Sequence, residues 1–250
     1  MNIPELENLA RQTRKDVIEL IYKGQSSHVG SCLSLVDIAV YLYEMKEKED
    51  VVIWSKGWAA ALYYVIAIRK GILNKKEVYS TFPNHPYIGL LEPHIPGIEV
   101  AGGSAGHGLP VAVGMALAKK IKGEKGRVFC LMSDGEMDIG TTWESALIAN
   151  QYKLDNLHVF VDYNGFQATG ETNKVLDIEP LQSKWSDFGW DIVVVDGHNF
   201  KEIKEALSLL YESPLAIIAR TIKGKGVSFM EGRLEWHYKN ISEGEYKLAL

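Results

Sequence analysis

Two dipeptides hold the first readable chemistry. Asp134-Gly135 and Asn164-Gly165 each follow a short apolar run, 128–132 before the first and 157–161 before the second. A carboxylate and an amide offer hard oxygen donors, which suit Mg2+ or Ca2+ rather than zinc. Mg2+ is seldom held by protein alone and usually shares phosphate oxygens and water as ligands. The pair therefore points to a metal-bridged diphosphate. Asp-Gly and Asn-Gly are also ordinary turn dipeptides, and for either alone that reading stands beside the functional one.

To act together the two residues must reach one place, and the pattern around them supplies the means. Residues 141–150 have helical character, so two short apolar strands flank a helix as in a βαβ unit. In such sheets the ligand crevice lies beyond the carboxyl ends of parallel strands. Further elements read as helices at 6–24, 35–43, 58–70, 181–188 and 200–210, and as strands at 50–57, 191–195 and 214–221. Another helix follows the glycine-rich 102–108. Residues 80–100 form a loop dense in Pro, His and Gly. Asp196-Gly197-His198-Asn199 reads as a turn with an N-cap. The expected fold is α/β, a mainly parallel sheet with helices on both faces, built as a single domain over 1–250.

Composition narrows the function classes. With 250 residues, 46% apolar and 24% charged, the chain is of ordinary globular type. A net charge of −5 gives no reason to expect nucleic acid or an anionic membrane as partner. No apolar run is long enough to span a bilayer, and Met1-Asn2-Ile3-Pro4-Glu5 lacks the basic start and apolar core of a signal peptide. A cytoplasmic location is expected. Cys32 and Cys130 stand in apolar surroundings without CxxC spacing, which suggests buried free thiols. The glycines of 102–108 fit neither G-x-G-x-x-G nor a Walker loop, so dinucleotide and nucleoside triphosphate readings gain little.

Taken in order, the motifs resemble those of the transketolase family. Asp-Gly and then Asn-Gly at the next strand end is similar to its thiamine diphosphate motif. By that resemblance Asp134 and Asn164 ligate the metal through their side chains and Phe166 through its carbonyl, with Ser133 and Gly135 beside the diphosphate. Ser27-His28-x-Gly30 resembles a Ser-Gly-His-x-Gly element whose His faces the thiazolium and substrate. Asn84-His85-Pro86 resembles Gly-His-Pro, which makes His85 the first candidate for a substrate-facing histidine and His94 the reserve. Gly106-His107-Gly108 lies in a segment similar to Gly-Ser-Leu-Gly-x-Gly, placed against cofactor and dimer partner; His107 would join His28 and His85 in orienting substrate hydroxyls. Lys223-Gly224-Lys225-Gly226 matches a turn that leads structurally to a Trp-His pair, here Trp236-His237, whose His contacts the diphosphate. Glu144 matches a member of an acidic network that links two active sites.

The resemblance implies two-carbon ketol transfer between sugars or sugar phosphates, dependent on thiamine diphosphate and Mg2+ (or Ca2+). It also implies a partner. The glutamate that activates the cofactor belongs to a pyrimidine-binding domain that this chain is expected to lack, together with the C-terminal domain. The chain is thus expected to be the N-terminal subunit of a split transketolase-like enzyme, a heterotetramer with a second subunit that carries the pyrimidine-binding domain. Two other readings stand beside it: the α subunit of a 2-oxo acid dehydrogenase, and a non-catalytic relative that binds only cofactor or partner. The first usually has Asn-Asn with a nearby Tyr where this chain has Asn164-Gly165-Phe166. Three departures from the family pattern cluster in the catalytic region. Ser133 replaces a Gly, Trp58 replaces a cofactor- and substrate-contacting His, and Ile139 replaces a Glu of the acidic network.

Overall fold

The apolar runs become strands because both of their faces are covered. In the computed structural model, which describes residues 1–250, five strands form one sheet in the order β1-β2-β3-β5-β4. They are β1 (Val51–Trp54), β2 (Val128–Ser133), β3 (Leu157–Tyr163), β4 (Asp191–Asp196) and β5 (Leu215–Arg220), and every neighbouring pair is parallel. Alternate residues serve two separate cores, as the period of two demands. Trp54, Phe129, Leu131, Phe160 and Ile217 enter one. Ile53, Cys130, Met132, Val159 and Ile218 enter the other.

The first core is closed by α1 (Ile3–Gly24), α2 (Val29–Met45), α3 (Ala60–Arg69), α4 (Lys75–Thr81) and, beyond β4, α9 (Phe200–Ser208). The second is closed by α5 (Gly108–Lys122), α6 (Gly140–Gln151) and α8 (Leu181–Asp187). The short α7 (Thr172–Val175) follows the loop after β3, and α10 (Glu243–Ala249) ends the chain by stacking Tyr246 on Tyr22 of α1, ring centroids 4.1 Å apart. Cys32 and Cys130 are free and buried.

The α/β architecture agrees with the sequence reading, and the differences are local. Helix α2 starts at Val29, not near 35, because its residues from Val29 to Leu42 are all buried. A helix covered on every side shows no apolar stripe to mark its start. Helices α4, α7 and α10 are additional to those read from the sequence. Each is too short for a periodic pattern, although Ser242 and Glu245 form a capping box at the start of α10.

Because the sheet is wholly parallel, all its carboxyl ends lie on one edge. Ser55-Lys56, Ser133-Asp134, Asn164 and Thr221 to Lys223 leave β1, β2, β3 and β5 there. The N-terminus of α2 reaches the same edge: the His28 N–H donates to the His237 carbonyl (2.9 Å), and the Gly224 N–H to that of Gly30 (3.0 Å). His28 holds a φ of 70°, a conformation that costs a non-glycine residue about 1 kcal/mol or more and concentrates at functional sites.

Near the amino end of β3, His158 is buried between Phe129 and Tyr211, with its Nδ1 unpartnered. Burial, with Arg127 nearby, pushes its pKa down to about 4. A histidine held neutral in the fold contributes stability that is complete above its unfolded pKa near 6.5 and is lost as pH falls toward 4. The wild type should therefore lose about 3 kcal/mol more than His158→Gln between these limits. Urea unfolding at several pH values measures this, and parallel pH curves for the two proteins would refute it.

Candidate active site

A cavity of about 610 Å3 opens at the carboxyl edge of the sheet. Its floor includes Ser133, Gly135, Asn164 and Phe166; His28, Ser31, Lys56, Trp58, His237 and Tyr238 stand on one side, and Leu90, Gly103, Ala105, Asp138, Ile139, Gln167 and Ala168 complete the walls.

Asp134 lies beneath this floor with no solvent exposure. Its Oδ1 accepts from the Gly135 N–H (2.9 Å), and its Oδ2 accepts from the Gly165 N–H (2.7 Å) and the Thr172 hydroxyl (3.0 Å). One carboxylate thus joins the loops after β2 and β3. Burial, with the negative charge of Asp162 close by, pushes its pKa up to about 7. Asn164 is buried and turns its Oδ1 to the Phe166 N–H (3.0 Å), which leaves the loop tightly wound with Gly165 at a φ of 79°. No three His, Cys, Asp or Glu side chains come together as a metal site of their own. A carboxylate, an amide oxygen and a carbonyl are hard donors, few enough that a bound cation must complete its shell elsewhere. That fits Mg2+ or Ca2+ shared with a phosphate ligand.

Two buried lysines flank the floor. Lys56 is 1% exposed and ion-paired with Asp162, and its ammonium also donates to Ser34 Oγ (3.2 Å). Lys223 is equally buried. Its ammonium has a hydroxyl and an imidazole as neighbours, Ser31 Oγ at 3.4 Å and His237 Nδ1 at 3.2 Å. Burial and then Lys56 bring its pKa down to about 8. The same surroundings keep the histidines neutral. His28 is lowered to about 4 by burial and by Lys223 and Lys56; His237 is lowered to about 3 by burial, Lys223, His28 and Lys56. Ser27 Oγ occupies Nδ1 of His28 at 2.7 Å, so Nε2 is the ring nitrogen left for a ligand. Concentrated positive charge beside a helix N-terminus is what an anion requires.

Glu136, fully buried, braces the wall. Its Oε2 accepts from the N–H of Ser133 (2.7 Å), while its Oε1 accepts from the Gly106 N–H (3.1 Å) and from the Ser55 hydroxyl. Ser55 Oγ in turn accepts from the Gly108 N–H (3.1 Å). Gly106 and Gly108 thereby sit behind the cavity wall. A Cβ on Gly108 would lie 2.2 Å from that of Ser55, so only glycine fits.

The cavity brings together Asn164, Phe166, Ser133, Gly135, His28, Trp58 and His237, with Asp134 directly beneath, bonded to the Gly165 N–H. Other expected residues stand apart. His85 and His94 stack on each other at 5.1 Å on the loop before α5, and neither lines the cavity. His107 is exposed at the start of α5 with Ser104 Oγ 3.4 Å from its Nε2, and Glu144 is exposed on α6. Lys56 and Glu136 are site residues that the sequence reading does not single out. Lys56 has a signal, as the one charged residue in the otherwise uncharged run 51–68.

The profile of the family described as "Transketolase, thiamine diphosphate binding domain" matches residues 6–249. The chain belongs to the transketolase family. Among relatives, an apulose-4-phosphate transketolase subunit of Phocaeicola vulgatus is 35% identical, with 100% of this chain and 94% of that protein covered. The 6-deoxy-6-sulfo-D-fructose transketolase subunit SqwG of a Clostridium species is also 35% identical, covering 98% of this chain and 95% of its own length. Among solved structures, the transketolase of Campylobacter jejuni superposes with a TM-score of 0.93 at 28% identity. The match takes in all of this chain but only 42% of that one. The transketolase-family chain is thus similar along nearly its full length to proteins named as subunits, and to less than half of a single-chain transketolase.

Proposed function

We propose that this transketolase-family domain is the diphosphate-binding subunit of a two-chain enzyme that transfers a two-carbon ketol unit between sugars, with thiamine diphosphate and Mg2+ as cofactors. The observation that carries the reading is one cavity lined by Asn164, Phe166, Lys56, His28 and His237, with buried Asp134 bonded to the Gly165 N–H beneath it and buried Lys223 behind His237. When bound there, thiamine diphosphate supplies the nucleophilic carbon that takes up the ketol unit. The three oxygen donors hold the cation, and the two ammonium groups offset the charge of the diphosphate. His28, neutral near pH 7, has Nε2 available to accept or return a proton at the substrate hydroxyl. Trp58 fills wall volume and excludes water; its indole nitrogen donates but does not accept, so it takes no proton as a histidine would. His85 (or His94) and His107 act on substrate from the exposed side.

Partner dependence has its own support. Relatives of the same span are named as subunits. On α6, Glu144, Leu147 and Ile148 are exposed together, an apolar surface with an acid in it that suits a protein contact. The partner subunit contributes the pyrimidine-binding domain, and the pair forms a heterotetramer with two-fold symmetry.

The relatives' names include apulose 4-phosphate and 6-deoxy-6-sulfo-D-fructose, and Trp58 favours a substrate outside the common pentose phosphates because an indole stacks on an apolar sugar face. The test is reconstitution with a second subunit that carries the pyrimidine-binding domain. The complex with thiamine diphosphate and Mg2+ should turn over a ketose, whereas the chain alone should not. A panel of branched, deoxy and sulfonated sugars should outperform xylulose 5-phosphate with ribose 5-phosphate, and Trp58→His should narrow that preference about tenfold. Turnover by the chain alone overturns the two-chain reading. An inactive complex that still binds cofactor favours a non-catalytic relative, and an unchanged preference in Trp58→His removes that residue from specificity.

A further inference from the structure

The loop that carries Lys223 is tied down at both ends by a cluster centred on a buried carboxylate, none of whose members lines the cavity. Asp37 of α2 is 4% exposed, and both its carboxylate oxygens are engaged by Arg14 of α1, with Nη1 donating to Oδ1 at 3.1 Å and Nη2 to Oδ2. The Nδ1–H of His198, in the turn between β4 and α9, donates to Asp37 Oδ2 at 2.6 Å. Its Nε2 accepts the N–H of Ile222 at 2.9 Å. A backbone amide can only donate, so this bond fixes the ring proton on Nδ1. At the far end of the loop, Arg14 Nε–H donates to the Lys225 carbonyl at 3.1 Å. A continuous path of hydrogen bonds therefore runs from the amide just before Lys223 to the carbonyl two residues after it.

Lys223 needs such support. A lysine side chain is flexible and loses rotamer freedom when buried. Its neighbours, Ser31 and His237, are neutral, so no carboxylate fixes its ammonium in the way Asp162 fixes Lys56. Its position depends on its backbone. We infer that Arg14, Asp37 and His198 form a clamp that positions Lys223 at the diphosphate end of the cavity, with His198 a positioning residue. The inference rests on the proposed reading of that cavity as a diphosphate site.

Pulse acetylation of the full chain with N-acetoxysuccinimide, read peptide by peptide in a mass spectrometer, follows Lys223 without any ligand. Lys56 serves as the internal reference, since general unfolding would expose both. His198→Phe keeps the ring volume and removes both hydrogen bonds; it should raise Lys223 acetylation relative to Lys56 about tenfold, the factor for one ordinary hydrogen bond. His198→Gln, which places an amide oxygen near Nε2, should stay within about threefold of wild type. Arg14→Lys keeps the charge beside Asp37 but frees the Lys225 carbonyl, and should also raise the Lys223 signal. If His198→Phe fails to fold, Arg14→Lys decides by the same ratio. A Lys223-to-Lys56 ratio within about twofold of wild type in the folded variants overturns the clamp. Inorganic pyrophosphate with Mg2+ should protect both lysines in wild type. Absence of protection alongside a raised ratio in His198→Phe would sink the diphosphate reading and leave the clamp standing.

Discussion

Replacing Asp134 by alanine is expected to remove Mg2+-dependent binding of thiamine diphosphate while the chain stays folded. The loss should be about 4 kcal/mol or more, on the order of a thousandfold in affinity. The proposed cation would have only three protein oxygens as ligands, and just one of them is charged, so the remaining amide and carbonyl cannot balance cation and diphosphate together. Stability should suffer less. The carboxyl already resists ionisation, with burial and then Asp162 raising its pKa to about 7. A folded pKa above the unfolded value near 3.8 means that its contribution to stability is present at low pH and is lost as pH rises through 7. Removing the group thus relieves a burden near neutral pH, although the Gly165 N–H and Thr172 hydroxyl lose their acceptor. The same pKa gives wild-type binding a pH dependence, because a cation requires the ionised carboxylate: affinity should fall about tenfold per pH unit below 7. Calorimetric titration of the two-chain complex measures both effects. Asp134→Ala binding within a few-fold of wild type would remove Asp134 from the metal site.

What the chain discloses in advance is what depends on local pattern. The apolar runs at 128–132 and 157–161 become strands β2 and β3, and the turn residues after them place Asp134 and Asn164 at the carboxyl edge. Both inferences need only period and punctuation. The two lysines are hidden for different reasons. Lys56 follows β1 in a run that reads as strand and turn, and only the pairing of β1 beside β2 brings it toward Asp162, two strands away. Lys223 opens a Lys-Gly-Lys-Gly turn whose structural reading is correct as far as it goes. Its burial depends on Gly30 approaching so closely that a Cβ there would meet the Lys223 side chain at 3.2 Å. His198 reads as part of a turn with an N-cap. Asn199 does cap α9, accepting from the Lys201 and Glu202 amides. The link from His198 to Asp37, across 161 positions, has no local signature. Ile139 and Asp138 show the converse. Both line the cavity beside Gln167, whose amide donates to Asp138 Oδ2 at 2.6 Å, while Asp138 Oδ1 has no partner in the chain. The departure at 139 is visible in the sequence, but the carboxylate beside it gains meaning only from the wall they share.

Lys56→Met should be the most damaging single change to stability among the cavity residues. The methionine keeps most of the volume, so the effect isolates the charge. Asp162, without solvent exposure, would be left in the sheet with the hydroxyls of Ser34 and Thr221 as its donors. Burial is the largest influence on the Asp162 pKa and acts to raise it. The attraction of Lys56 and the hydrogen bonds from Lys56, Thr221 and Ser34 outweigh burial and hold the carboxyl below its usual range. Breaking a buried pair on one side typically costs about 3–5 kcal/mol, because the surviving charge is uncompensated. The pair as a whole is worth far less, since its own desolvation offsets most of its attraction. Lys56→Met with Asp162→Asn should therefore recover stability to within about 1 kcal/mol of wild type. It should not recover function. The ammonium that faces the cavity is still missing, and affinity for thiamine diphosphate should remain at least about tenfold weaker. pH separates the two variants further. In Lys56→Met the folded pKa of Asp162 moves above its unfolded value, so the deficit is full near neutral pH and shrinks as acid protonates the carboxyl. The double variant has no such group and should show no recovery of this origin. Urea unfolding at pH 5 and pH 7.5, with cofactor titration at the higher pH, checks each step. A single variant that loses under about 1 kcal/mol would mean that water or a rearranged donor reaches Asp162. A double variant that binds cofactor like wild type would mean that Lys56 serves the fold and not the diphosphate.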